Sequence, residues 1–455
     1  MKTETQLLLS SLRQGGFSTR LPVGGFEVEG WLVDGSMHPA PVNQAFFKAL
    51  KNPLATPELA KFNIELNNEP LSLRQDALSR FAKELKQVFA DAETAARSVN
   101  ARVMLNGILP TLCETDCCLD NMSNMTRYHV LNDLIFEARK QQPLQLNIRG
   151  DICADTHHSE QLQLKHYSVM LEAGATSFQV HMQIPWHKAH LYYNASIMAS
   201  AAVLAASTNS PYLFGKRLWH ETRIPLFEQS VDSANGPQRV SFGSGFAKKS
   251  IGECFTENLQ DYPVLLPELT SEAVEQFSHL RLHNGVIWRW NRPLVGFDDD
   301  GTPHIRIEHR CLPAGPTIDD MVANAAFYYG LTESLARSMN DRPAMTFQQA
   351  RSGFYAVACQ GLKARLEWCG ETIPAQALIL DQLLSMAEEG LGSLNINDDD
   401  IRHWLGIVAA RVETGQTGSV WQIDHIEKHS ATMESLSRDY LIHQHESAPV
   451  HLWGH

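Results

Sequence analysis

The sequence predicts an α+β fold in which an antiparallel sheet carries flanking helices and a mainly helical part follows it. Three observations predict it. Four short segments alternate polar and apolar residues with the period of a strand, stretches between them have helical spacing, and beyond Pro313 and Pro316 the pattern is almost wholly helical. The expected division is a core over 1–316 and a helical part over 317–455 packed on the same unit.

Residues 26–34 read FEVEGWLVD, a strand with Glu27, Glu29 and Trp31 on one face and Phe26, Val28 and Leu32 on the other. Residues 62–70, FNIELNNEP, set Asn63, Glu65 and Asn67 against Phe62, Ile64 and Leu66. Leu73, Leu78, Phe81, Leu85, Val88 and Ala92 then recur at helical steps, so a helix spans 72–97. Residues 177–184, SFQVHMQI, oppose Ser177, Gln179, His181 and Gln183 to four apolar residues. The Ala- and Ser-rich stretch 188–208 has few charges and reads as a sandwiched helix that stops at Pro211. Residues 227–255, with several glycines and little periodicity, form a long loop.

The segment 286–293 contributes Arg289, Asn291 and Arg292, with Trp288 and Trp290 expected on the opposite face. Residues 304–311, HIRIEHRC, place His304, Arg306, Glu308 and Arg310 together, leaving His309 on the apolar face. Ser, Thr, Asp and Pro signals open most of the later helices, expected over 319–339, 347–369, 374–389, 398–413 and 424–444.

The chain has 455 residues, with 38 Lys and Arg against 51 Asp and Glu, a net charge of −13. It offers no basic face, so nucleic acid is not an expected partner. No apolar run suits a membrane span or a secretory leader, and the eight cysteines are too sparse for a disulfide scaffold. A cytoplasmic location with reduced thiols is the expectation; the sequence leaves the oligomeric state open.

Solvent-facing strands are usually dominated by Lys, Thr and Glu, whereas these four polar faces lack Lys and carry Gln, Asn, His and Arg. Lining one cleft, Glu27, Glu29, Glu65 and Glu308 require a compensating cation. Oxygen donors with one imidazole suit Mg²⁺ or Mn²⁺, and Mg²⁺ commonly binds substrate phosphates, which points toward ATP. Arg306 and Arg310 are placed to clamp phosphate or carboxylate oxygens. There is no GxxxxGK[ST] loop, GxSxG elbow, HExxH pair or strand-to-helix GxGxxG, so P-loop, serine-hydrolase, zincin and dinucleotide-binding readings fall away.

These segments, in this order, together with SPYLFGKRLWHETRIPLFEQS from Ser210 and HIRIEHRCLPAGPTIDD from His304, resemble the bacterial and plant type of glutamate-cysteine ligase and its carboxylate-amine ligase relatives. The resemblance implies a funnel-like curved sheet of the glutamine synthetase catalytic type. It also implies Mg²⁺ held by Glu27, Glu29, Glu65, His181 and Glu308, catalytic roles for Arg306 and Arg310, and substrate or nucleotide contacts from Gln179, Arg289 and Arg292. Relatives often carry a further acid after the residue matched by Glu65, where Glu69 is the available substitute, and Arg411 is a loosely matched site residue. The implied reaction joins the γ-carboxylate of glutamate to the amine of cysteine, with ATP as co-substrate. A ligase for another amine or carboxylate, a non-catalytic binding protein on the same fold and a phosphotransferase are the alternatives.

Overall fold

The computed structural model describes residues 1–20, 22–150, 160–234, 236–338 and 343–454. All four alternating segments lie in one sheet. Its strands are β1 (Val23–Val33), β2 (Ala55–Pro57), β3 (Asn63–Asn67), β4 (Ser177–Ile184), β5 (Asn291–Phe297) and β6 (Pro303–Pro313), in the order β5-β6-β4-β1-β3-β2. Every pairing along this path is antiparallel, and two short strands, Leu71–Ser72 and Arg102–Met104, also pair with β1. The sheet is a curled antiparallel half-barrel with many helices around it.

Alternation puts the large apolar residues on the helix side. Phe26 packs on Phe81 of α1 (Ala77–Ser98) with ring centroids 4.5 Å apart, and stacks at 6.2 Å on Tyr329 of α3 (Ile318–Ser338). The helix α2 (Ala189–Ala205) is buried along nearly its whole length between α3, β6 and the Phe347–Gln360 helix. Its Ala and Ser residues permit this close packing without leaving buried charge. Gly24 serves the same end: a Cβ there would lie 2.6 Å from the Tyr329 hydroxyl and 2.7 Å from Leu73 Cδ2. His309 is a core histidine, fully buried, stacked on Tyr328 at 4.2 Å and hydrogen-bonded through Nδ1 to Asn291 Oδ1 at 2.8 Å.

The helical part differs from expectation at two points. The helix expected over 347–369 ends at Gln360; Gly361 takes φ 58°, and Arg365–Trp368 and Glu371–Pro374 form a small hairpin. The helix expected over 424–444 is two, Gly418–His429 and Met433–Glu446. Ser430 at φ 49° stops the first, and the Thr432 side chain caps the second. Helix α3 is described to Ser338, so the expected end at Met339 lies outside the described residues. Within 227–255, the Arg223–Ser230 helix enters from one side and Gly252–Asp261 begins the next, with loop between.

Arg411 is not in the cleft. It is fully buried on the Asp398–Thr414 helix, paired to Asp320 of α3 at 2.8 Å and hydrogen-bonded to the Ala206 carbonyl at 2.9 Å, so it ties the helical part to the core. Cys113, Cys117, Cys118, Cys254, Cys311 and Cys369 are free thiols. Cys359 is disulfide-bonded, which departs from the expectation of reduced thiols throughout; Cys153 lies outside the described residues. Among the described residues no helix is long and apolar enough to cross a membrane.

Candidate active site and divalent-cation centre

The polar face is assembled by register. Glu27 lies opposite Gln179 on β4 and Asn67 on β3; Glu29 lies opposite Glu65; His181 lies between Gly25 on β1 and Glu308 on β6; and Glu308 lies opposite Arg292 on β5. Directly paired residues share a face, so five strands converge on one surface. Gly25 leaves open space where a side chain would stand over His181.

His181 Nε2 is 3.0 Å from Glu27 Oε1 and 4.0 Å from Glu308 Oε1. Among the described residues, Glu27, His181 and Glu308 are the one group of three or more His, Cys, Asp or Glu whose donor atoms all lie within 4.8 Å of one another. Nε2 is buried between the two carboxylates without a well-aligned hydrogen bond. Such an orphaned donor among oxygens fits a divalent cation. Arg306 Nε donates to His181 Nδ1 at 3.3 Å, which places the ring proton on Nε2. A cation on Nε2 therefore requires the other tautomer and releases Arg306.

Glu308 is held from behind. Arg292 grips it with two bonds, Nε to Oε2 at 2.8 Å and an η-nitrogen to Oε1 at 3.0 Å, and Arg310 reaches Oε2 at 3.0 Å. Burial works to raise the Glu308 pKa, but Arg292, Arg310 and His181 override it and hold the carboxyl far below its ordinary range. In Glu27 burial is likewise overcome, chiefly by His181. Ladder register on β6 shifts between His309 and Leu312, a bulge that brings Arg310 onto Gln179 Oε1.

A second carboxylate group lies beside the first. Glu29 accepts from the Ser177 backbone at 2.6 Å and from Gln179 Nε2 at 2.8 Å; Glu65 accepts from Thr56 at 3.0 Å and Asn67 at 2.9 Å. Glu58 and Glu172 join them in lining a cavity of about 300 Å³. Here burial dominates. It raises Glu29 despite Arg310, lifts Glu65 to about 7 with help from the charges of Glu27 and Glu29, and lifts Glu172 to about 8 with help from Glu29. Glu58 is raised well above the usual range by burial and by Glu65, Glu29 and Glu172.

Arg306 faces a second cavity of about 290 Å³ on the other side of His181, with Gly25, Gln183, Phe297 and His304. Burial lowers its pKa. Eight of the ten expected site residues thus line two cavities that share Glu27, namely Glu27, Glu29, Glu65, Gln179, His181, Arg292, Arg306 and Arg310, and a ninth, Glu308, lies 4.0 Å from His181.

Arg289 does not join them. It is 1% exposed on the far side, paired with Glu257 at 3.1 Å and hydrogen-bonded to Asn258 at 2.8 Å. Strand β5 begins at Asn291, so its alternation does not reach back to Arg289. Trp288 instead lines the first cavity, while Trp290 is core. Glu69 is also excluded: β3 ends at Asn67 and Glu69 is exposed. Glu58, before Glu65 rather than after it, is a further acid in the cavity lining.

The sequence profile described as glutamate-cysteine ligase family 2 matches residues 23–439. The chain belongs to this family. Two solved ligase structures share its fold. The glutamate–cysteine ligase from Francisella tularensis, in complex with AMP, superposes with a TM-score of 0.57 at 12% identity, over 95% of this chain and 89% of that one. A bifunctional glutathione synthetase from Pasteurella multocida gives 0.51 at 11% identity, covering 97% of this chain and 55% of that one. A search of curated proteins finds no match. Family and fold together make this member of glutamate-cysteine ligase family 2 a glutamate-cysteine ligase or a related carboxylate-amine ligase.

Proposed function

We propose that the protein is an ATP- and Mg²⁺-dependent ligase that activates the γ-carboxylate of glutamate as an acyl phosphate and joins it to the amine of cysteine. The observation that carries this reading is the Glu27–His181–Glu308 group, with one buried imidazole nitrogen aimed between two ionised carboxylates. Glu29, Glu58 and Glu65 line the adjoining cavity as a second set that would hold a cation, whose charge would offset the burial that raises their pKa values. Divalent cations at these positions would neutralise phosphate oxygens during phosphoryl transfer.

A carboxylate resists attack by an amine until one oxygen becomes a leaving group. Transfer of the γ-phosphoryl group of ATP to that oxygen gives ADP and the acyl phosphate; the amine then adds, inorganic phosphate leaves, and a proton is released. Arg310, fixed by Glu308 and Gln179, would contact the donor carboxylate, and Arg306, which lines the second cavity, would contact phosphate. Arg292 acts through Glu308. Because Glu308, Arg292 and Arg310 hold one another before substrate arrives, little reorganisation of these three accompanies the reaction. The AMP bound by the Francisella tularensis enzyme agrees with a nucleotide role for this cleft.

The test is ADP release and mass-spectrometric detection of product with ATP, Mg²⁺ and glutamate, with and without cysteine and other amines. The reading expects ADP and γ-glutamylcysteine together, both dependent on Mg²⁺. Another amide keeps the chemistry and changes the acceptor. A folded, Mg²⁺-binding protein that forms no ADP with any donor and acceptor refutes it and favours a binding role.

A further inference from the structure

Glu172 stands apart from the other carboxylates of the cleft. It comes from the short 3-10 segment Val169–Gly174 rather than from the sheet, and it faces two spaces at once. One is the 300 Å³ cavity; the other is a narrow recess behind it, formed with Glu29, Thr176, Ser177 and Arg223. Glu27 has His181, Glu308 has two arginines, Glu29 has Ser177 and Gln179, and Glu65 has Thr56 and Asn67. Among the described residues the Glu172 carboxyl has no hydrogen-bond or ion-pair partner. The cations lining these two spaces are engaged elsewhere: Arg310 on Glu308 and Gln179, Arg292 on Glu308, Arg223 on Glu221 and the Cys311 carbonyl, and Arg127 on the Tyr128 hydroxyl.

A half-buried carboxyl without a donor invites a cationic one. The donor carboxylate and ATP reach such a site as anions. The acceptor amine reaches it as an ammonium. The cavity wall that Glu172 shares carries the apolar Leu59, Leu131, Val169, Val231 and Trp288 beside Arg127 and Tyr128. We propose that Glu172 is the acceptor-specificity residue: it receives the ammonium of the incoming amine, and the acceptor is a primary amine with a compact, mainly apolar body. The assignment rests on the ligase reading above and adds the subsite that chooses the amine.

The test compares wild type with Glu172→Gln and Glu172→Asp in the full chain, using ATP, Mg²⁺ and glutamate. Cysteine, alanine and ethylamine serve as cationic acceptors, and hydroxylamine, largely uncharged at neutral pH, as a neutral one. Glu172→Gln is expected to raise KM for the best cationic acceptor by about tenfold to a hundredfold, the worth of one charge-assisted hydrogen bond. Hydroxamate formation and the KM values for glutamate and Mg²⁺ should stay at the wild-type level, which also reports an intact fold. Glu172→Asp should recover part of the loss. An unchanged acceptor KM overturns the assignment, as does a loss confined to glutamate or Mg²⁺. Absence of both amide and hydroxamate in the wild type overturns the ligase reading itself, and this assignment with it.

Discussion

The two carboxylate groups of the cleft lie on the same sheet face yet meet opposite electrostatic fates. Around Glu308 the protein provides cations: Arg292, Arg310 and His181 hold that carboxyl ionised despite burial. Around Glu29, Glu58, Glu65 and Glu172 the hydrogen-bond donors are neutral, burial outweighs Arg310, and all four pKa values rise. The first group is preorganised by protein charge. The second is completed by positive charge from outside, which in the proposed reaction is a metal ion and an ammonium.

The largest expected effect comes from breaking the compensated side. Glu308→Gln removes a candidate metal ligand and leaves Arg292 and Arg310 facing a neutral amide. Turnover should fall by at least about 10²–10³-fold, the scale of losing preorganised electrostatic stabilisation. Steady-state ADP release checks this, and a variant turning over at half the wild-type rate would show that Glu308 holds no essential cation.

Arg289→Ala sharpens the contrast between the cleft and the layer beneath it. Arg289 is the buried partner of Glu257 and Asn258, so its loss should destabilise the fold by about 3–5 kcal/mol. Thermal denaturation should show the drop, and calorimetry at a temperature where the variant is folded should show Mg²⁺ binding with wild-type affinity. Weakened Mg²⁺ binding would return Arg289 to the site.

The uncompensated side predicts proton release. Near pH 7 Glu65, at about 7, is only partly ionised, and a cation favours its deprotonated form. Mg²⁺ binding near pH 7 should then expel about half a proton from Glu65. Titrations in buffers of different ionisation enthalpy measure that number, and Glu65→Gln should lower it. Buffer-independent heat would mean that the carboxylates are already ionised.

The smallest effect concerns a carboxylate remote from the cleft. Glu93 is buried, which alone would raise its pKa, but His445, the Val103 amide and Arg102 bring it down to about 2. With the folded value below the unfolded 4.5, its stabilisation is full above pH 4.5 and disappears as pH falls toward 2. Glu93→Gln should cost about 1–2 kcal/mol at pH 7 and flatten the acid limb over that window in denaturant melts.

Much of this was legible in the sequence, and the exceptions share a physical cause. Strict alternation located the four strands and the facing of Glu27, Glu65, His181 and Glu308, because a strand's side-chain period is fixed by its backbone. Glu58 and Glu172 escaped because neither lies on an alternating strand: Glu58 follows the three-residue β2, and Glu172 sits on a 3-10 turn. An acid shortly before Glu65 was a visible signal for Glu58; nothing local marked Glu172. Arg289 was misplaced by extending the β5 alternation past the first paired residue. The break at Ser430 was hidden because a non-glycine residue adopts the left-handed turn there.

Anomalous diffraction from crystals of the full chain grown with MnCl₂ and ATP tests the central claim most directly, since Mn²⁺ scatters anomalously and accepts the same oxygen and imidazole donors as Mg²⁺. The account predicts one peak bounded by Glu27, His181 and Glu308, a second among Glu29, Glu58 and Glu65, and Arg306 moved off His181 Nδ1. A cleft with nucleotide bound and no anomalous peak at either group would contradict it.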